Sequence, residues 1–170
     1  MRHLWAPWRM EYVAGERAAG CVFCEAVEHP REAHVLYSSE HNFVILNRFP
    51  YNNGHMMVVP KQHVSDFLQL SREQLADMMS LAQGAIEALR QCMKAEGINL
   101  GMNLGQPAGA GIDDHLHLHI VPRWSGDTNF LTTVGETRVV PQALEVCAAE
   151  VQPVLEEIMR RRSTAGPQQS

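Results

Sequence analysis

Apolar positions along the chain come first in short runs bounded by polar and turn residues, then recur at helical spacing, then at every second residue, and finish in a second helical block. Period two is the spacing of a half-buried strand, and recurrence at three and four residues is that of one helix face. His34 to Ser38 and Asn42 to Asn47 predict two strands joined by a tight polar turn. His55 to Pro60 predicts a third, stopped by Pro60. Between them Asn47 to Gly54 holds Pro50, Asn52, Asn53 and Gly54 and reads as a loop. The period changes at Ser71, where Ser71 followed three residues on by Gln74 forms a capping-box signature. Leu75, Met78, Met79, Ala82, Ala85, Ile86, Leu89 and Met93 then share one helical face, with the methionines as core filler. Gly97 is expected to end this helix.

Asn99 to Leu104 predicts a strand, and Gly105 to Gly111 a glycine-rich loop. Asp114 to Val121 predicts the next strand, closed by Pro122. A last helix is expected from Pro141 to Arg162, with Pro141 at its first position and a kink or interruption at Pro153. The basic run Arg160, Arg161 and Arg162 suits the C-terminal end of that helix. The lead-in Leu4 to Val13 carries Trp5 and Trp8, which are costly to expose, so it is expected to pack down. With neither repeat nor linker, residues 1–162 are expected to form one domain and residues 163–170 a disordered polar tail.

A chain of 170 residues with 45% hydrophobic and 19% charged positions can bury a core without staples. The net charge of -5 lacks the basic surplus that holds a nucleic acid polymer, although a local pocket can still hold a small anion. No apolar run approaches the roughly 18 residues of a membrane span, and the N-terminus lacks the apolar core of a signal peptide. A cytoplasmic protein without membrane partners is therefore expected. Cys92 and Cys147 fall at apolar helix positions and read as small buried hydrophobes. Cys21 and Cys24 form a C-x-x-C, which in a cytosolic chain points to metal or redox chemistry.

The chemistry concentrates in His115-Leu116-His117-Leu118-His119. Alternation sends the three histidines to one face and Leu116, Leu118 and Ile120 to the core face, with neighbouring imidazoles about 6.5 Å apart. Neutral imidazole is a nucleophile and proton shuttle near neutral pH, and also a metal ligand. The glycine-rich loop before the row lets backbone N–H groups approach an anion, as a phosphate cradle requires.

The run His115 to Val121 resembles the signature of the histidine triad (HIT) family, H-x-H-x-H followed by two apolar residues. Asn47-Arg48, Gly54-His55 and Pro60-Lys61-Gln62-His63 resemble that family's N-terminal half. Leu4 to Arg9, and Val121 to Trp124 with Gly126 to Phe130, look most like its bacterial diadenosine tetraphosphate phosphorylase branch. The resemblance implies an α+β fold, with an antiparallel sheet, one long helix and a C-terminal helix, in a homodimer. It implies His117 as the nucleophile that attacks a nucleotide α-phosphorus and forms a nucleotidyl-histidine, which water or phosphate then resolves. By the same similarity His119 contacts phosphate oxygens and helps the leaving group, and Asn47 binds the ribose hydroxyls. His55, Asn103 and the backbone of Gly109, Ala110 and Gly111 hold phosphates. Gly111 and Ile112 depart from the Gln and the Ser or Thr common before the triad, which leaves backbone donors or Gln106 for that role.

Tetrahedral zinc takes four ligands, so the cysteine pair needs two partners from elsewhere in the chain. Relatives with this pair imply His63 and His115, which gives zinc a structural place and leaves His117 free. A redox pair and free thiols are the other readings. The expected substrate is a dinucleoside polyphosphate. The alternatives are a nucleoside phosphoramidate or adenylate hydrolase, a nucleotide-binding protein without catalysis, and a metal-binding scaffold.

Overall fold

The computed structural model describes residues 20–127 and 142–164. Five strands run through them: β1 (Val35–Ser38), β2 (Asn42–Leu46), β3 (Met56–Pro60), β4 (Gly97–Gly101) and β5 (Leu118–Arg123). Three α-helices accompany them: α1 (Val22–Glu28), α2 (Arg72–Met93) and α3 (Leu144–Thr164). The strands pair antiparallel in the order β1-β2-β3-β5-β4, so β5 inserts between β3 and β4. The architecture is the expected α+β.

Both faces of the sheet are covered. Val44, Leu46, Met56, Val58, Leu116, Leu118 and Ile120 turn to the larger core, against Met78, Leu81 and Leu89 of α2 and Val151, Leu155 and Ile158 of α3. Phe43, Ile45, Met57 and Val59 turn the other way, under Phe23 and Ala26 of α1. Every residue of β2 and β3 is consequently buried, and those strands read as near-continuous apolar runs. Each fully buried large apolar side chain contributes about 1.5–3 kcal/mol of transfer free energy, so the two layers hold β3 and β5 firmly in register.

Two glycines set close approaches. Gly54 sits at φ +73, and a Cβ there would lie 3.0 Å from Leu89 Cδ2 and against Met93 Sδ. Gly84 faces α3, where a Cβ would collide with Met159 Sδ, so its absence lets the two long helices close together.

The helix predicted from Ser71 is present with its capping box: Ser71 Oγ accepts from Gln74 N, and Gln74 Oε1 accepts from Ser71 N. It ends at Met93, earlier than Gly97, because Lys94 adopts a left-handed conformation and the N–H groups of Lys94 and Ala95 both return to Leu89 O. Gly97 instead opens β4, paired with Arg123. Met78 is buried as expected, whereas Met79 is 42% exposed, since one residue rotates it about 100° off the core face. Cys147 is buried and Cys92 only half-buried.

The strand carrying the histidines begins at Leu118 and runs through Pro122 to Arg123. β3 pairs with β5 only as far as Ile120, so Pro122 stands where the strand is an edge on that side. The last helix starts at Leu144, so Pro141, outside the described residues, is not its first residue. It continues through Pro153, whose exposed position leaves the unpaired carbonyl one turn earlier to solvent. It also extends through Ser163 and Thr164. Arg161 pairs with Glu87 at 3.3 Å, tying the end of α3 to α2. The lead-in Leu4 to Val13 lies outside the described residues.

Candidate functional site

Alternation separates the triad from the leucines as expected, but the histidine face is no open surface. His115, His117 and His119 are 1%, 6% and 9% exposed, because that face belongs to the second covered layer. The Phe23 ring stands 5.3 Å from that of His115 and 5.2 Å from that of His117. The His117 and His119 rings meet edge to face at 4.7 Å.

Hydrogen bonds to main-chain groups, which have only one possible role each, assign the tautomers of His115, His117 and His55, and His55 in turn sets that of His119. His117 Nδ1 lies 2.9 Å from His115 O, and a carbonyl can only accept, so Nδ1 carries the proton and Nε2 the lone pair. At His55 the assignment is opposite. Its Nδ1 accepts from Tyr51 N at 3.1 Å and from Asn47 Nδ2 at 3.2 Å, so its proton is on Nε2. That proton is donated to His119 Nδ1 at 3.0 Å, which places the His119 proton on Nε2. Adjacent rings thus present a lone pair at His117 and a donor at His119. Neither Nε2 has a partner among the described residues, and neither is a buried unpaired atom.

The rings are held neutral. Burial, reinforced by His119 and His117, pushes His55 down to about 3. Burial and then His117 push His119 down to about 4. Burial also lowers His117, opposed by the carbonyl of His115 that accepts its proton. A neutral imidazole with a lone pair can attack an electrophile at physiological pH without an adjacent base.

The loop between β2 and β3 positions the donors. Asn47 Oδ1 accepts from Phe49 N at 2.9 Å while its amide nitrogen holds His55, and Tyr51 packs on both His55 and His119, at 4.7 and 5.7 Å between ring centroids. Asn52 Nδ2 donates to Pro122 O at 3.0 Å and to Asp127 Oδ2 at 2.9 Å. Asp127 receives Arg123 Nε at 2.6 Å and Nη2 at 2.8 Å. The turn before His55 is therefore bolted to the strand that carries His119.

The β4 side contributes less than the sequence suggests. Gly101 pairs with His119, so the loop after β4 starts beside the triad. Asn103 Nδ2 donates to Gly109 O at 3.3 Å. The N–H groups of Gly109 and Ala110, expected to cradle phosphate, bond back to Gln106 O at 2.9 Å and Gly105 O at 3.4 Å. Gln106 is exposed in a short 3-10 turn, and Ile112 packs against the second core cluster.

A second cluster lies at the start of the triad. Cys21 Sγ is 3.2 Å from His115 Nδ1, and Cys24 Sγ is 3.4 Å from His63 Nδ1 and 3.8 Å from His115 Nδ1. The four donor atoms lie within 4.8 Å of one another. Two ligands at the usual Zn–S and Zn–N lengths, a tetrahedral angle apart, are separated by about 3.6 Å, so these spacings fit one tetrahedral ion. His115 Nε2 donates to Pro60 O at 2.8 Å, which leaves the lone pair on Nδ1, facing the sulfurs. Cys21 is the N-cap residue of α1, a helix that the sequence analysis missed because seven residues give too short a periodic signal. Phe23 and Tyr51 were missed as well. The signal for Phe23 was its spacing with Ala26, three residues apart and both buried, inside and just after the cysteine motif.

Among the described residues no helix is long and apolar enough to cross a membrane. The HIT domain profile matches residues 28–126. A Mycobacterium tuberculosis protein named AP-4-A phosphorylase is 36% identical over 154 residues, covering 85% of this chain and 79% of the relative. The solved structure of a zinc-bound histidine triad family protein from Mycobacterium smegmatis superposes with a TM-score of 0.69 at 30% identity, covering 84% of this chain and 97% of that one. A hypothetical histidine triad nucleotide-binding protein from Sulfolobus tokodaii gives a TM-score of 0.64 at 27% identity, covering 88% of this chain and 99% of that one. With the three histidines aligned on one face and the profile spanning more than half of its length, the chain belongs to the histidine triad family.

Proposed function

We propose that this chain is a nucleotidyl transferase or hydrolase that cleaves dinucleoside polyphosphates of the diadenosine tetraphosphate type, with an adenine nucleotide as its small-molecule partner. The observation that carries the reading is the fixed tautomer of His117, whose neutral Nε2 lone pair has no partner among the described residues. The similarity to AP-4-A phosphorylase supports the substrate class.

In this reading His117 Nε2 attacks the α-phosphorus, an N–P bond forms, and the P–O bond to the departing nucleoside polyphosphate breaks. The ring becomes cationic, and the His115 carbonyl that accepts from Nδ1 stabilises that charge. His119 Nε2–H donates to the phosphate or to the leaving oxygen, its proton placed there by His55. Water or inorganic phosphate then attacks phosphorus, the N–P bond breaks, and His117 returns to its neutral form. Asn47 binds ribose hydroxyls, and Asn103 with the Gly109, Ala110 and Gly111 backbone flanks the phosphates. Because the Gly109 and Ala110 N–H groups are engaged within their loop, this last role requires the loop to rearrange on binding.

Cys21, Cys24, His63 and His115 would hold one Zn²⁺, supported by the donor spacings and by the zinc-bound relative. The ion would fix the beginning of the triad and hold the thiols as thiolates. The whole assembles as a homodimer in the cytoplasm.

The test is incubation with diadenosine tetraphosphate, with and without inorganic phosphate. ADP plus ATP only with phosphate identifies a phosphorylase, and AMP plus ATP in water a hydrolase. Turnover of an adenosine phosphoramidate alone would replace the dinucleotide reading by the phosphoramidate one.

A further inference from the structure

The metal cluster and the nucleophile share one neighbour, Phe23, which lies inside the cysteine motif itself. Cys21 and Cys24 are three residues apart across the first turn of α1, and so reach toward the same ligands. The residue between them on the buried side is Phe23, 2% exposed. Its ring meets His115 nearly at right angles, 72° between planes, and leans on His117 at 45°. His115 belongs to the metal cluster, and His117 is the ring whose Nε2 is left for a ligand.

A helix of seven residues does not hold itself in place, since isolated helices need about 12–15 residues even for marginal stability. What anchors α1 is the cysteine cluster at its start and the packing of Phe23 and Ala26 on Phe43, Ile45, Met57 and Val59. Without the cluster closed, only the apolar contacts remain, and Phe23 is the larger of the two. The His117 ring is fixed on one side by its bond to His115 O, on a second by the edge of His119, and on a third by Phe23. The first two supports belong to the same strand or the residues leading into it. The third comes from α1 and moves with it.

We propose that Phe23 is a positioning residue that makes the orientation of the His117 ring depend on occupancy of the Cys21, Cys24, His63 and His115 site. The proposal rests on the reading of His117 as nucleophile and of that cluster as a zinc site. With the site occupied, Cys21 and Cys24 would seat α1, α1 would seat Phe23, and Phe23 would hold the attacking nitrogen on line. A nucleophile misaligned by about 1 Å loses on the order of 100-fold in rate.

The experiment compares wild type, Phe23→Leu and Phe23→Ala in the full chain, loaded with zinc and verified at one ion per chain. Phe23→Leu keeps apolar volume and so guards against loss of the fold in Phe23→Ala. The expected result is a kcat lowered about 10-fold in Phe23→Leu and up to about 100-fold in Phe23→Ala, with KM changed less than threefold. The second readout needs no substrate: the NMR signals of the carbon-bound ring protons of His117, followed while a chelator removes zinc. In the wild type they move as zinc leaves. In Phe23→Leu they are already displaced, and chelation moves them much less. Wild-type kcat in both variants, or an equal movement on chelation with and without the phenyl ring, overturns the proposal. Because the NMR arm is read without turnover, it decides the coupling even if His117→Ala shows that another group is the nucleophile.

Discussion

Acid should unfold this protein through its histidines, and the size of the effect follows from their burial. His55 and His119 are 1% and 9% exposed, and are held down to about 3 and about 4. In the unfolded chain both titrate near 6.5. Between those limits the unfolded state binds more protons, so stability rises with pH and is lost as pH falls from about 7 toward 4. From pH 7.5 to 5.0 an unfolded histidine gains about 1.5 log units of proton binding that a folded one held down to about 3 or about 4 does not. At about 1.36 kcal/mol per unit this is about 2 kcal/mol for each group and about 4 kcal/mol for the pair, a large part of an ordinary domain's stability. The assay is urea unfolding at pH 7.5, 6.0 and 5.0, for wild type and His119→Gln at matched zinc content. Metal loss in acid affects both proteins alike, so the difference between their pH dependences isolates His119 and its coupling to His55. His119→Gln should lose about half of the pair's contribution, or more, because His55 also loses a neighbour that holds it down. If the variant keeps the full wild-type slope, the pair is not buried in its neutral form, and the tautomer chain through His55 is wrong.

Three further outcomes are expected. His117→Ala should abolish turnover while leaving the melting temperature and nucleotide binding, read by calorimetry, close to wild type; normal turnover would remove His117 as nucleophile. Chelation, or Cys24→Ser, should remove bound zinc in metal analysis and, for an ion present at about 100 times its Kd, lower stability by about 3 kcal/mol, roughly 8 °C in melting temperature. Gly54→Ala places a side chain at φ +73, against Met93 Sδ and Leu89 Cδ2, and should cost about 2 kcal/mol in chemical denaturation. It should also lower kcat, because residue 54 precedes His55.

The triad and its leucine partners were legible because period two needs only five residues to show. Its environment was not. Whether a strand's second face meets water depends on what covers it, and here the cover is α1, whose seven residues carry too little periodicity to be seen. The capping box of α2 is local chemistry and was readable to the residue. The end of α2 was not, because Lys94 takes up a left-handed conformation without being glycine, while Gly97 serves the pairing of β4. Likewise, nothing local shows that Pro122 can lie within a strand; that depends on the pairing of β5 with β3 ending at Ile120. The cysteine–histidine cluster sits between these cases. The cysteine spacing is local, but His63 and His115 join it only through the fold.

Three chemically identical side chains end up in different hydrogen-bonding states, and the main chain makes the difference. A carbonyl can only accept and an N–H can only donate, so each backbone contact forces a ring nitrogen into one state. The Pro60 carbonyl accepts from His115 Nε2–H, which keeps the proton there and leaves the Nδ1 lone pair for the cysteine side. The His115 carbonyl accepts from His117 Nδ1–H, which keeps the proton there and leaves Nε2 with the lone pair. The Tyr51 N–H fills His55 Nδ1, so His55 donates to His119, and His119 in turn offers a proton from Nε2. The proposed roles of ligand, nucleophile and donor rest on those three contacts. A substitution that preserves every histidine but shifts the loop of residues 47–54, and with it the Tyr51 amide, would therefore change the chemistry of His119 without touching it.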